Sequence, residues 1–226
     1  YAFEGCAKLS SVVWNAKKCT DFLSIDYSPF FTYSTVSQIT TFTFGDNVEH
    51  IPSYLCCNMK NLASITIPNN VTSIGKSVFQ NSTSLTSITW NAKNCTNFTS
   101  FPFYEICSQI TSFNFGKNVE FIPSYLCYDM NKLTSITSQS DIPPTIGNDA
   151  FYNVSKSTPV YIPCNSLSAY NKANGWNSFT DIQESLIKHS IVVSSKDKEM
   201  GTVTTSNIKT CTWRIPWWYS GGESTC

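Results

Sequence analysis

Leu62-Ala63-Ser64-Ile65-Thr66-Ile67-Pro68, running on through Val71, Ile74-Gly75 and Phe79, decides the fold because its pattern keeps returning. Leu85-Thr86-Ser87-Ile88-Thr89-Trp90 opens the next copy. Ile39 and Phe42 sit in the copy before; Ile110 and Phe113, then Leu133 and Ile136, sit in the copies after. Starts at 39, 62, 85, 110, 133 and about 157 give spacings of 23, 23, 25, 23 and 24 residues. A fixed period of that length builds a stack of small units, not one globular core. It points function towards surface recognition without naming a ligand.

Within a unit, the first six residues alternate as a strand does. Leu62, Ile65 and Ile67 are inward candidates, while Ser64 and Thr66 face the other way. Pro68-Asn69-Asn70 stops the strand and turns the chain. Val71 and Ile74 return to the core, Gly75 permits a sharp bend, and residues 76–80 are long enough for one helical turn ending near Asn81. A single unit cannot bury its apolar side. Stacking joins those sides into one core and the strands into one parallel sheet. No Asn-Gly or Asp-Gly turn joins successive strands, so a chain of hairpins fails.

A longer period overlies the first. Trp14-Asn15-Ala16-Lys17-Lys18-Cys19-Thr20-Asp21-Phe22 returns 76 residues later as Trp90-Asn91-Ala92-Lys93-Asn94-Cys95-Thr96-Asn97-Phe98. Residues 42–56 return as 113–127, differing only at Thr43/Asn114, Asp46/Lys117 and His50/Phe121. The units come in threes, so the array grew by duplicating a triplet. Extra residues at 24–35 are expected to bulge from the first unit on the convex side or at an edge.

Composition excludes several partners. Fifteen basic and fifteen acidic residues cancel, and charged residues make up 13% of the chain, about half the usual level of roughly 25%. Nucleic acid needs a basic footprint that is missing here. No apolar run reaches the length of a membrane span, so no insertion is expected in this segment. The chain opens inside a unit, at Tyr1-Ala2-Phe3-Glu4-Gly5-Cys6, which reads as a fragment.

The ten cysteines read mainly as small buried hydrophobes. Cys56 and Cys127 fall where Phe79 falls in its unit; Cys6 and Cys107 align with Ser82, Met59 and Met130, also an inward site. Aligned pairs lie three or more rungs apart, about 14 Å at roughly 4.8 Å per rung, whereas a disulfide needs Cα atoms within about 7 Å. No C-x-x-C pair offers zinc spacing. No metal or cofactor is expected.

Catalysis needs convergent His, Cys and carboxylate groups. The two histidines are His50 and His189, and His50 aligns with Phe121, a side chain of no acid–base use. Carboxylates such as Asp21, Asp26 and Glu49 are scattered. The positive candidate is the outward side of the sheet. Ser11, Thr41, Ser64, Ser87, Ser112 and Ser135 form one column; Val13, Thr43, Thr66, Thr89, Asn114 and Thr137 form the next. Ser64, Thr66, Ser87, Thr89, Ser112, Asn114, Ser135 and Thr137 are the candidate ligand-facing residues, a nearly uncharged surface of hydroxyls and amides. The plain alternative is that these side chains only pair sideways across the strands. Five N-x-S/T sequons, at Asn70, Asn81, Asn94, Asn97 and Asn153, are expected by chance in so Asn-, Ser- and Thr-rich a chain.

The repeat resembles the BspA-like leucine-rich repeats of bacterial surface proteins, whose pattern is roughly L-x-x-I-x-I-P, V-x-x-I-G-x-x-A-F-x-x-C. Residues 62–84 follow it, with Val78-Phe79 for A-F and Ser82 for C, and Ala2-Phe3-Glu4-Gly5-Cys6 supplies the full A-F-x-x-C. The Trp-Asn-Ala-Lys variant and the ending from Val160-Tyr161-Ile162-Pro163 to Gly175-Trp176 look like versions from gut Bacteroides-type proteins. The resemblance covers about residues 1–182. It implies a repeat solenoid: a leucine-rich-repeat stack with a parallel β-sheet on one face, short or helical turns on the other, and a C-terminal cap.

The expected organisation is about six repeats of 23–30 residues over 1–156, the first truncated, a capping segment over 157–186, and a partial β-rich segment or tail over 187–226. Within the cap, residues 159–163 are the last strand-like stretch and 167–173 a short amphipathic helix. In the tail, residues 189–194 and 200–204 could pair as a hairpin. The resemblance implies a monomeric adhesion module, extracellular or on the bacterial surface, that binds a host matrix or cell-surface protein, or a glycan, without catalysis. The alternative is a spacer that displays a neighbouring domain.

Overall fold

Each unit opens with four residues that alternate between exposed and buried, and these become the strands of the main ladder. A computed structural model of the chain describes residue 3 and residues 6–30, 38–98 and 101–185. In chain order the strands are β1 (Ser11–Trp14), β2 (Thr41–Phe44), β3 (His50–Ile51), β4 (Ser64–Ile67), β5 (Ser73–Ile74), β6 (Ser87–Trp90), β7 (Asn97–Phe98), β8 (Ser112–Phe115), β9 (Phe121–Ile122), β10 (Ser135–Ser138), β11 (Thr145–Ile146) and β12 (Val160–Ile162). A short helix, α1 (Leu167–Lys172), and a last strand, β13 (Ile182–Glu184), follow. The largest sheet has six strands, all parallel, in the order β13-β12-β10-β8-β6-β4. β1 and β2 pair separately beside it.

A second ladder runs along the stack that the periodicity did not reveal. The residues expected only to dip into the core, ending at Ile74, form two-residue parallel strands: β3-β5-β7 and β9-β11. Ile74 still points inward, as expected, and so do Ile51 and Ile122 at the matching positions, all essentially inaccessible. The core is therefore a column with ladders on two sides. Ile65, Ile67, Val71, Ile74, Val78 and Phe79 make one layer of it, and each neighbouring unit repeats the layer.

The third side corrects one expectation. Residues 76–80 do not form a helical turn; they make hydrogen-bonded turns in which Ser77 and Asn81 have positive φ, 52° and 58°. Tyr54 and Asn58 in the preceding unit match them, at 64° and 63°. With every fourth residue left-handed, backbone groups aim along the stack. The N–H groups of Tyr54, Cys56 and Asn58 donate to the carbonyls of Lys76, Val78 and Gln80 at 3.1, 3.0 and 2.8 Å. A helical turn would close those bonds within one unit, and five residues are too few to offset its nucleation cost. Bonds between units win.

The segment after residue 157 holds more strand than expected. β12 joins the main sheet, and β13, which lies beyond the stretch read as the last strand, pairs with β12 from Val160↔Ile182 to Ile162↔Glu184. Between them α1 buries Tyr170, whose hydroxyl donates to Ser138 Oγ at 2.6 Å and to the Ser140 carbonyl at 2.8 Å. Trp176 is fully buried and its indole N–H donates to the Pro144 carbonyl. In the 24–35 stretch, Ile25–Tyr27 forms a 3₁₀ turn, and residues 31–35 lie outside the described residues. So do the expected hairpin and tail at 187–226.

Candidate functional site

The register of the main sheet brings the candidate residues into two straight files. Ser64 partners Ser87, Ser87 partners Ser112, and Ser112 partners Ser135; Thr66, Thr89, Asn114 and Thr137 are joined in the same way. All eight are exposed or half-exposed, while Ile65, Ile67, Ile88, Phe113, Phe115 and Ile136 between them are buried. The second file runs further than the sequence suggested. Thr137 partners Tyr161, which partners Gln183, so a phenol and an amide extend the surface. Alternation in residues 159–163 could have revealed Tyr161; nothing periodic marks Gln183. At the other end, Ser11–Thr41 and Val13–Thr43 align as expected but belong to the β1-β2 pair.

Two kinds of hydroxyl occur on this molecule, and the difference matters for function. Thr111, Thr134 and Thr158, at the entrance to their strands, each donate to a backbone carbonyl of the previous unit: Thr86 at 3.3 Å, Thr111 at 3.0 Å and Leu133 at 3.3 Å. Thr72 and Thr145 do the same on the second ladder. These hydroxyls bind unit to unit. At the eight candidate positions of the two outward files, the one side-chain hydrogen bond among the described residues is Asn114 Nδ2 to Ser112 Oγ, at 3.5 Å; further along, Gln183 Nε2 donates to Asp181 Oδ1 at 2.8 Å. Ser64, Thr66, Ser87, Thr89, Ser135 and Thr137 do not pair sideways through their hydroxyls.

A different cluster gathers around His50. Its Nδ1 lies 2.7 Å from Ser73 Oγ and its Nε2 3.1 Å from Asp21 Oδ1. The same carboxylate oxygen accepts the Ser53 N–H at 2.7 Å and the Ser53 hydroxyl at 2.8 Å. Desolvation would raise the Asp21 carboxyl, but the bonds from Ser53 and His50 outweigh it and hold the group below its usual range. Gly75 is required above this cluster, since a Cβ there would sit 2.3 Å from Ser53 N and 2.5 Å from Asp21 Oδ1.

The order serine, histidine, carboxylate invites comparison with a nucleophilic triad. The neighbouring backbone donors are already engaged: Ser73 N–H on Glu49 O, Gly75 N–H on Ile51 O and Lys76 N–H on Ser53 Oγ. An oxyanion needs such donors free. What the geometry offers is a polar brace tying three units together.

The cysteines follow the register in part. Cys56 and Cys127 are fully buried, and desolvation raises their thiols far above the ordinary value; Cys95 is pushed up to about 12 for the same reason. Cys6 departs from expectation. It is exposed, and Cys107 is half-buried. Seven described cysteines are free thiols, and Cys164 is the exception, being disulfide-bonded. No group of three or more metal-ligating side chains occurs among the described residues.

A shallow cleft of about 540 Å³ opens where the second ladder breaks between β7 and β9, lined by Phe98, Phe101, Phe121 and Tyr125 with Thr96 and Ser124. Phe121 stands where the first triplet has His50.

A family model described as BspA type leucine rich repeat region matches the chain in six copies, over residues 1–83 and 24–158. No curated protein matches it. Among solved structures, a leucine rich cell surface protein from Faecalibacterium prausnitzii A2-165 is similar at 18% identity and a TM-score of 0.32, over 68% of this chain and 42% of that one. The chain thus spans less than half the length of that protein.

Proposed function

Because this chain belongs to the BspA-type leucine-rich-repeat family, we propose that it acts as a non-catalytic binding module at the bacterial surface, holding its partner on the outward face of the main sheet. The observation that carries this reading is the division of hydroxyls. Those at strand entrances bond the stack together, while those of Ser64, Thr66, Ser87, Thr89, Ser135 and Thr137 take no part in it. They present donors and acceptors at rung spacing to whatever lies against the sheet. The strands are also the elements aligned through the most units, so they offer the longest continuous surface.

The partner class is a host matrix or cell-surface protein, or a neutral glycan, met by a monomer. With a net charge of zero and no charged residue among the eight positions, affinity through this face should change little with salt. The experiment is a binding screen of the 226-residue chain against purified matrix proteins and neutral glycans, repeated with the triple variant T66K/T89K/T137K. The variant should stay folded, because its three lysines lie on exposed or half-exposed positions, and should lose the binding. Full binding by the folded variant would move the site off the sheet. A screen with no binder at all would favour a spacer that displays a neighbouring domain.

A further inference from the structure

The two triplets are near-copies on one backbone, so the positions where they differ show what the second has gained. Residues 54–58 and 76–81 occupy the same register as residues 125–129 and 148–153: Tyr54 N–H bonds Lys76 O and Tyr125 N–H bonds Asn148 O, and the left-handed residues coincide. Across that frame Lys76 becomes Asn148, Ser77 becomes Asp149 and Gln80 becomes Tyr152. In the adjoining unit Cys57 becomes Tyr128 and Asn58 becomes Asp129. One cation is lost; two carboxylates and two phenol rings are gained. This is the turn side of the stack, a different surface from the files on the main sheet.

The gained groups lie together. Tyr128 and Tyr152 stack with ring centroids 4.7 Å apart and planes 9° apart, and Tyr152 is 53% exposed. No other ring packs on Tyr152 among the described residues. Loss of surrounding water, then the charges of Asp129 and Asp149 among its neighbours, push the Tyr128 phenol up, so both carboxylates act on that ring. Asp129 accepts a hydrogen bond from Asn153 at 2.9 Å, and neither aspartate has a cationic partner among the described residues.

The first triplet shows what such rings attract. There Lys76 Nζ sits 5.5 Å from the centroid of the Tyr54 ring. The second triplet keeps the ring as Tyr125, has no lysine at that position, and packs Phe101 on it at 4.5 Å instead.

We propose that Tyr128, Tyr152, Asp129 and Asp149 form a second docking surface, for a lysine- or arginine-bearing segment of a partner protein. A guanidinium or ammonium group placed over a tyrosine face, within reach of a carboxylate, gains from both the ring quadrupole and the opposite charge. A neutral glycan can donate hydroxyl hydrogen bonds to the aspartates but gains no attraction between opposite charges, and an acidic partner is repelled by them. The whole chain has zero net charge, so outside these two aspartates basic groups outnumber acidic ones, 15 to 13, and a basic segment is drawn to this patch and not to the protein at large.

The test is titration of a fluorescent hexa-arginine peptide with the whole 226-residue chain, followed by anisotropy. The variants D129N/D149S and Y128A/Y152Q each remove one half of the patch. The backbone tolerates the first, since Asn58 and Ser77 hold the same left-handed conformation in the first triplet. Unchanged thermal melting of both variants checks that they are folded. Each is expected to weaken binding at least about tenfold, and raising salt from about 50 to about 500 mM should weaken the wild type comparably. T66K/T89K/T137K should bind the peptide as the wild type does, which separates this surface from the sheet. Equal affinity of wild type and both variants, no binding of hexa-arginine, equal binding of hexa-aspartate, or binding of cellohexaose that is lost in either variant would each overturn the proposal.

Discussion

Thr134 and Thr137 are three residues apart and differ in what their hydroxyls do. Thr134 donates to the Thr111 carbonyl at 3.0 Å, whereas Thr137 has no side-chain bond among the described residues. Thr134→Val should therefore cost about 1 kcal/mol in urea unfolding, the usual net worth of one such bond, and Thr137→Val should fall within about 0.5 kcal/mol of the wild type. The sequence distinguishes the two only by position, because both are outward threonines of one unit. Inward and outward residues were legible from alternation; which outward hydroxyl reaches a carbonyl depends on the stagger between units, and no spacing encodes it. The His50 cluster was illegible for a similar reason. Asp21, His50, Ser53 and Ser73 come from three units and repeat nowhere as a set. Asp21 gives it a pH signature. Its carboxyl is held below the ordinary range, so its contribution is full above the unfolded value of about 3.9 and is lost as pH falls through the lower folded value. Stability of the wild type relative to Asp21→Asn should shrink as pH falls below about 4, and only modestly, because the carboxylate is partly exposed and screened by solvent.

Among the elements, the strands of the main sheet up to β12 were legible and the turn side was not. Four alternating residues carry a period; the two-residue strands Ser73–Ile74 and Thr145–Ile146 are too short to show one. Residues 76–81 are long enough for a turn of helix, yet Ser77 and Asn81 adopt positive φ because bonds to the neighbouring unit outweigh the local strain. β13 was missed because it follows α1 and lies outside the repeating phrase. The glycines separate two reasons for the same residue. A Cβ on Gly75 would meet the Ser53 backbone nitrogen at 2.3 Å, and backbone cannot step aside cheaply. On Gly45 it would meet Asn15 Oδ1 at 1.9 Å, the movable end of a side chain. Gly75→Ala should therefore lower stability by about 1–3 kcal/mol, the range for overpacking, and Gly45→Ala by clearly less, as thermal melts of the two variants would reveal.

For the whole molecule, what matters is that layers of one core pass through every unit while the sheet surface above them stays free. Phe79 is almost fully buried and stacks on Phe103 of the next unit at 5.4 Å. Phe79→Ala should cost about 3–5 kcal/mol, whereas Ser64→Ala, on an exposed position of the same unit, should stay within about 0.5 kcal/mol. Comparable losses in chemical denaturation would mean that the inward and outward faces have been exchanged. If the outward face is where a partner rests, proximity can be read directly. A photo-crosslinking residue would replace Thr89, at the centre of the two files, and in a second protein Ser77, on the turn side. Each would be irradiated with the matrix protein or glycan that the screen identifies as a binder through a salt-insensitive contact. The expected result is covalent capture from position 89 and none from position 77. Capture from position 77 alone would contradict the assignment of binding to the sheet.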